Sequence, residues 1–135
     1  MKCVILIDQA LPLGLIANAS AVLAMSIGNK VKNIIGEDVR DKDGTVHRGI
    51  THVAIPVLKG DEERIRSMRD GLLQMRDEDL FFVDFCDVAQ QSRDYEQYAN
   101  TLKQTASDEL KYLGIAIYGP KKKVNSLTGN AALFA

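Results

Sequence analysis

The run Gly119-Pro120-Lys121-Lys122-Lys123 carries the residues best suited to chemistry. An apolar stretch, Leu113 to Tyr118, leads into it, and the pattern after Pro120 predicts a short helix from Lys121 to Leu127 that stops at Thr128-Gly129. The first N–H groups of a helix lack intrahelical partners, and its amino end carries about half a positive charge. Lysines placed there are disfavoured by roughly 0.3–1 kcal/mol each. A bound anion would remove that conflict, so Gly119, Pro120, Lys121 and Lys122 form a candidate anion site. The competing reading is a solvated turn whose lysines extend into water.

Asp8 is the second candidate. It ends the apolar run Cys3 to Ile7, and ligands of open α/β sheets gather beyond the carboxyl ends of strands. It could act there as a base or an acceptor, or cap the turn at Leu11-Pro12 through its own backbone. His47 is the third, close to Asp41 and Asp43 on a polar stretch that could border a cleft. Asp41-x-Asp43-Gly44 is not a calcium loop, because Val39 and Ile50 fall where the first acidic ligand and the closing glutamate belong. No metal and no cofactor is expected. Ser20 has no local base and no surrounding glycine elbow, which favours back-bonding to a helix carbonyl. Cys3 and Cys86 each sit in apolar runs without a cationic neighbour and read as buried, unreactive thiols of a reducing compartment.

These residues need a scaffold, and its elements are visible as patterns. Cys3 to Ile7 is apolar at every position, as in a strand buried on both faces. Leu15 to Ile27 reads as an Ala- and Leu-rich helix stopped by Gly28-Asn29, apolar nearly all round and hence central or covered by a second subunit. Val39 to Arg48 resembles a polar hairpin about Asp43-Gly44. Val53 to Leu58 is a second strand in which Pro56 calls for an edge or an end. Asp61 caps a helix with Ile65, Met68, Leu72 and Met75 on one face, and Glu62–Arg66 and Arg66–Asp70 are spaced for surface ion pairs. Leu80 to Phe85 is a third strand. Ser92 or Asp94 starts a helix carrying Tyr95, Tyr98, Ala99 and Leu102, the two tyrosines serving core or interface. Leu113 to Tyr118 is the fourth strand. Alternating strands and helices predict one α/β domain over residues 1–135: three layers, α/β/α, around a mixed, mostly parallel sheet of about four strands.

Composition narrows the function. The chain has 135 residues, 46% hydrophobic and 26% charged, with a net charge of −1. One domain with a substantial core follows. Nucleic acid is disfavoured as a partner, since phosphate neutralisation needs a basic stripe and the lysine cluster is short. Neither a signal segment nor a membrane span is evident, and a cytoplasmic protein is expected.

The two ends of the chain resemble the type-two peptidyl-tRNA hydrolases. Lys2-Cys-Val-Ile-Leu-Ile, Leu13-Gly14 and Ile16-Ala17 are similar to their opening, and Ile115-Ala-Ile-Tyr-Gly119-Pro120, Val124 and Leu127-Thr128-Gly129 to their close. Over nearly its whole length the chain more closely resembles a bacterial family of that superfamily, known as domain of unknown function two thousand. Asp43-Gly44 with His47, Tyr112-Leu-Gly and Gly119-Pro-Lys-Lys-Lys-Val124 carry that likeness. The resemblance implies a hydrolase-like fold without the hydrolase chemistry. Leu15 stands at the hydrolases' lysine position, Ala19 at their glutamine, and their histidine falls near Val22. Their Asp-Ala-Gly has no counterpart around Ala106-Ser107-Asp108. These substitutions favour a protein that binds a small anionic ligand as a homo-oligomer, most simply a dimer. The alternative is a hydrolase of acyl or phosphate esters with a rebuilt site using Asp8 and the lysines.

Overall fold

In the computed structural model, which describes residues 1–134, the first apolar run forms strand β1, Lys2–Asp8. A short hairpin follows later, with two residues in each strand, β2 (Val39–Arg40) and β3 (Val46–His47), and its turn glycine, Gly44, has a φ of +84°. The main sheet has the order β4-β1-β6-β5, with β4 at Val57–Gly60, β5 at Phe81–Cys86 and β6 at Tyr112–Gly119. Alternate side chains of β1 serve opposite layers, as strand geometry requires. Cys3, Ile5 and Ile7 pack with Ala19, Leu23 and Ile27 of helix α1, Leu13–Lys30. Val4 and Leu6 face the other way, towards Ile65 and Leu72 of α2 (Glu62–Met75) and Val124 of α5 (Lys121–Thr128). The three layers and the four strands match the sequence reading.

The strand directions do not. β1 is parallel to β4 but antiparallel to β6, and β6 is antiparallel to β5, so only one of the three pairings is parallel. The expectation of a mostly parallel sheet is corrected here, and the cause is the last connection. After β5 the chain makes α3 (Asp87–Gln91), α4 (Tyr95–Lys103) and a 3-10 turn at Ser107–Glu109. It then returns to the end of the sheet it left: Cys86 pairs with Tyr112, and the Asp87 N–H donates to the Lys111 carbonyl at 2.9 Å. A strand entered at that end must run back, so β6 is reversed and slots between β1 and β5. The first and last strands are neighbours, with Lys2 opposite Gly119.

Local signals explain most boundaries. Asp61 Oδ1 accepts from the Arg64 N–H at 2.7 Å and Asp94 Oδ1 from the Gln97 N–H at 2.8 Å, two side-chain caps. Pro56 immediately precedes β4, where its missing N–H costs no ladder bond. α1 runs past Gly28-Asn29 to Lys30, because buried Ile27 keeps the last turn on the core and glycine's propensity deficit is only about 1 kcal/mol. Arg66 makes neither expected helical ion pair. Its guanidinium donates to the Leu110 and Ser107 carbonyls and lies 5.1 Å from the centre of the Tyr112 ring. Among the described residues no helix is long and apolar enough to cross a membrane.

Candidate functional site

The Gly119-Pro120 corner begins with a steric constraint. A Cβ on Gly119 would lie 2.7 Å from Leu80 Cδ2 and 2.9 Å from the Asp79 carbonyl, so only glycine lets β6 close against the turn before β5. Pro120 follows with φ −57° and ψ 135° and starts α5 with no side-chain cap. The amino end of α5 therefore presents N–H groups that no side chain accepts. Lys123 turns away from this end: its Nζ donates to Asp77 Oδ2 at 2.7 Å and Asp79 Oδ2 at 2.9 Å. Those carboxylates raise the Lys123 ammonium above its usual range, and the lysine holds Asp77 below the usual carboxylate range. Lys121 and Lys122 are exposed and have no acidic partner among the described residues.

The sheet register brings a further cation, Lys2, to Lys121. Lys2 sits opposite Gly119, and its Nζ donates to Asn125 Oδ1 of α5 at 2.5 Å. Lys2, Lys121 and His52 line a groove of about 400 Å³ together with Val53, Ala54 and Pro56. No carboxylate lines it. The sequence names Lys121 but not Lys2 or His52, because Lys2 reaches this corner through strand pairing across more than a hundred residues of chain and His52 comes from the segment before β4. That Lys2 opens a strand antiparallel to the one ending at Gly119 was the signal, and it was legible only once strand directions were known.

The other candidates lie elsewhere. Asp8 is at the far end of β1 from Lys2, paired in register with Gly60. At about 3.3 Å per residue over a seven-residue strand, it stands roughly 20 Å from the Lys121 corner. The reversed direction of β6 causes this, since the carboxyl end of β6 meets the amino end of β1. Asp8 is 4% exposed, and its Oδ1 accepts from the Ala10 N–H at 2.9 Å, the turn-capping geometry. His47 lies on the exposed hairpin, Nε2 2.8 Å from Asp41 Oδ2. Asp41 also accepts from the Asp43 and Thr45 N–H groups, so it organises the turn, and its contact with His47 holds it below the usual carboxylate range. Among the described residues no three His, Cys, Asp or Glu side chains are placed to hold a metal. Ser20 Oγ donates to the Ile16 carbonyl, as its sequence context suggested. Both thiols are buried, and burial pushes Cys3 up to about 11.

A second groove, of about 410 Å³, runs along the outer edge of β5. Val83 and Phe85 form its floor, Val22 and Ser26 of α1 one wall, and Tyr95 and Tyr98 of α4 the other. Asp84 borders it and is held from behind by Arg69, 3.5 Å away, whose guanidinium stacks 4.8 Å from the centre of the Tyr112 ring. The tyrosine pair is arranged edge to face with centroids 5.5 Å apart.

Comparison with known proteins places the chain in a family. The chain belongs to the family described as a protein of unknown function, DUF2000, which matches residues 1–135. It is similar in structure to a protein of unknown function from Agrobacterium tumefaciens strain C58, with 23% sequence identity and a TM-score of 0.86. That match covers 99% of this chain and 97% of the other. At that identity the likeness is one of fold. Among curated proteins none matches the chain.

Proposed function

We infer that the protein binds a small anionic ligand, of the size of phosphate or a carboxylate metabolite, in the groove at the amino end of α5. The observation that carries this is the lining: Lys2, Lys121 and His52 converge beside an uncapped helix terminus, and no carboxylate enters the groove. Helix dipole and lysines would repel one another there without a counter-charge, and an anion satisfies both. Lys122, next on the same turn, adds to the field.

The architecture beneath it, in this reading, is that of the type-two peptidyl-tRNA hydrolases. The resemblances at the two ends of the sequence fall on β1 and β6, which are adjacent in the centre of the sheet. Leu15, Ala19 and Val22, which replace the polar residues of the hydrolases, lie together on α1, and Ala19 is fully buried. A rebuilt hydrolytic centre joining Asp8 to the lysines gains no support from the geometry, since the two lie at opposite ends of β1. Binding is the better-supported reading.

The test is thermal unfolding in sulfate and in phosphate against chloride at matched ionic strength. A ligand at ten times its Kd stabilises by roughly 1.4 kcal/mol, a rise of about 5 °C in Tm for a domain of this size. Lys121→Ala is expected to remove the anion-specific part of the rise, and Lys103→Ala on exposed α4 to keep it. Wild-type protein that melts at the same temperature in all three salts would end this reading.

A further inference from the structure

The two edges of the sheet are treated differently. The outer edge of β4 is covered: the Lys59 N–H donates to the Ala132 carbonyl at 2.7 Å, the Phe134 N–H donates to the Val57 carbonyl at 3.3 Å, and Leu58 bridges Leu133. The outer edge of β5 has no backbone hydrogen-bonded to it among the described residues. Proteins usually blunt such an edge with lysine, proline or a bulge in its length. β5 reads Phe-Phe-Val-Asp-Phe-Cys, without lysine or proline; its one charge, Asp84, is paired with Arg69 of α2, and its one irregularity lies at its end, between Phe85 and Cys86.

The neighbouring face of α1 is equally unguarded. From Gln9 to Asn29 the chain has no charged residue. Leu13 is 81% exposed and Met25 79%, with Val22 also exposed. Val22 and Ser26 line both the β5 groove and a shallower apolar depression with Ala21, Met25 and Asn29, so edge and helix form one continuous patch. Tyr95, 79% exposed, extends it on the α4 side.

We propose that this patch is the interface of a homodimer in which β5 pairs antiparallel with β5 of a second copy, joining two sheets into one of eight strands and closing the α1 faces on each other. Charge selects a second copy as the occupant. A two-fold axis sets a surface against itself, so the patch must carry no unopposed charge. Its border holds Asp84, Arg93 and Asp94. Asp84 is held by Arg69, and Asp94 accepts from the amino end of α4. Arg93 is exposed with no ion pair among the described residues of the single subunit, and with Asp94 beside it a two-fold axis can set each of these charges against its opposite in the second copy. A partner with a strong charge of one sign meets like charge as well as opposite charge along this border, whereas a second copy matches both. The covered β4 edge fixes the number: a subunit with one open edge closes as a pair and cannot extend further. This proposal is independent of anion binding, which concerns the end of the sheet away from Asp8.

Light scattering coupled to size exclusion at 10–100 micromolar protein tests it on the full chain. The expected mass is twice the 14.9 kDa of the chain. Met25→Glu alters a side chain exposed in the single subunit, so it should fold with wild-type circular dichroism and run as a monomer. Hydrogen exchange on wild type supplies the reading that survives any folding defect: the outward amides of β5 should gain protection as concentration rises, and β2–β3 amides should not. A wild-type monomer throughout the range overturns the proposal. So does a dimer whose β5 amides exchange at a concentration-independent rate, which would put the interface elsewhere. A monomer whose β5 is protected only by added extended apolar peptide overturns it too, in favour of a foreign strand.

Discussion

Lys123 ties α5 to the turn that leads into β5 by meeting two carboxylates, Asp77 and Asp79. The hydrogen bond from Lys123 is the main reason Asp77 titrates below its ordinary value of 3.8. A carboxylate with a folded-state value below its unfolded one stabilises the fold above the unfolded value, and the contribution is lost as pH falls through the folded value. Lys123→Met should therefore lower Tm at pH 6–7, and the gap to wild type should close progressively below about pH 4. High salt should narrow it as well, since the pair is partly exposed. A gap of constant size down to pH 2.5, followed by circular dichroism melts, would show that Lys123 matters for packing alone. The thiols give a second residue-scale expectation. Cys3 is fully buried and its pKa is raised to about 11 by that burial, so it should resist a thiol reagent at pH 8 until the chain unfolds. Rapid labelling of Cys3 in the folded protein would contradict the packing of β1 under α1.

The fit between α1 and the sheet rests on small residues. A Cβ added to Gly114 of β6 would lie 2.7 Å from Ile7 Cδ1, 3.1 Å from Leu23 Cδ1 and 3.3 Å from the Leu6 carbonyl. Side-chain tips can shift, but the backbone oxygen of the neighbouring strand cannot do so freely. Gly114→Ala should cost about 1–3 kcal/mol, read as a lower denaturation midpoint with an unchanged m-value. No loss of stability would mean that α1 rides higher above the sheet than described. Elements of this kind were largely readable beforehand. β1, β6, α2 and α5 each declared themselves through an unbroken apolar run, a capping aspartate or a Gly-Pro corner, and each formed within two residues of its expected bounds. The short α3 was missed, because its five residues include only Val88 and Ala89 as apolar contacts and complete no period. The direction of β6 was missed because a helical excursion looks the same in sequence whether it crosses the sheet or returns to its starting end. The candidate site suffered from the same blindness. Gly119, Pro120 and Lys121 are visible as a local motif, while the side chains that complete the groove, Lys2 and His52, come from segments far away in the chain. Asp8 falls near a common site only if the sheet is mostly parallel, with β1 and β6 ending on the same side.

At the scale of the whole molecule the sheet has one sealed margin and one open one, and the seal is the last stretch of chain. Residues 132–134 supply the backbone partners of the outer edge of β4, and Phe134 packs on the α1 side of the core. A chain ending at Asn130 would lose that packing and leave β4 as bare as β5. Removing half-buried apolar surface of this extent should cost about 2 kcal/mol, or roughly 8 °C in Tm. The change in association is the more telling result. With one open edge, edge-to-edge pairing ends at two subunits. With two, each pair keeps free margins at both ends, and addition can continue into filaments. The shortened chain should therefore show a mass that climbs with concentration beyond a dimer, and Met25→Glu introduced into it should restrict growth through β5 while leaving β4 open, returning the mass to no more than a pair. A shortened chain that melts with wild type and keeps its mass would mean that the terminal stretch shields nothing, and that the asymmetry of the two edges does not set how many copies assemble.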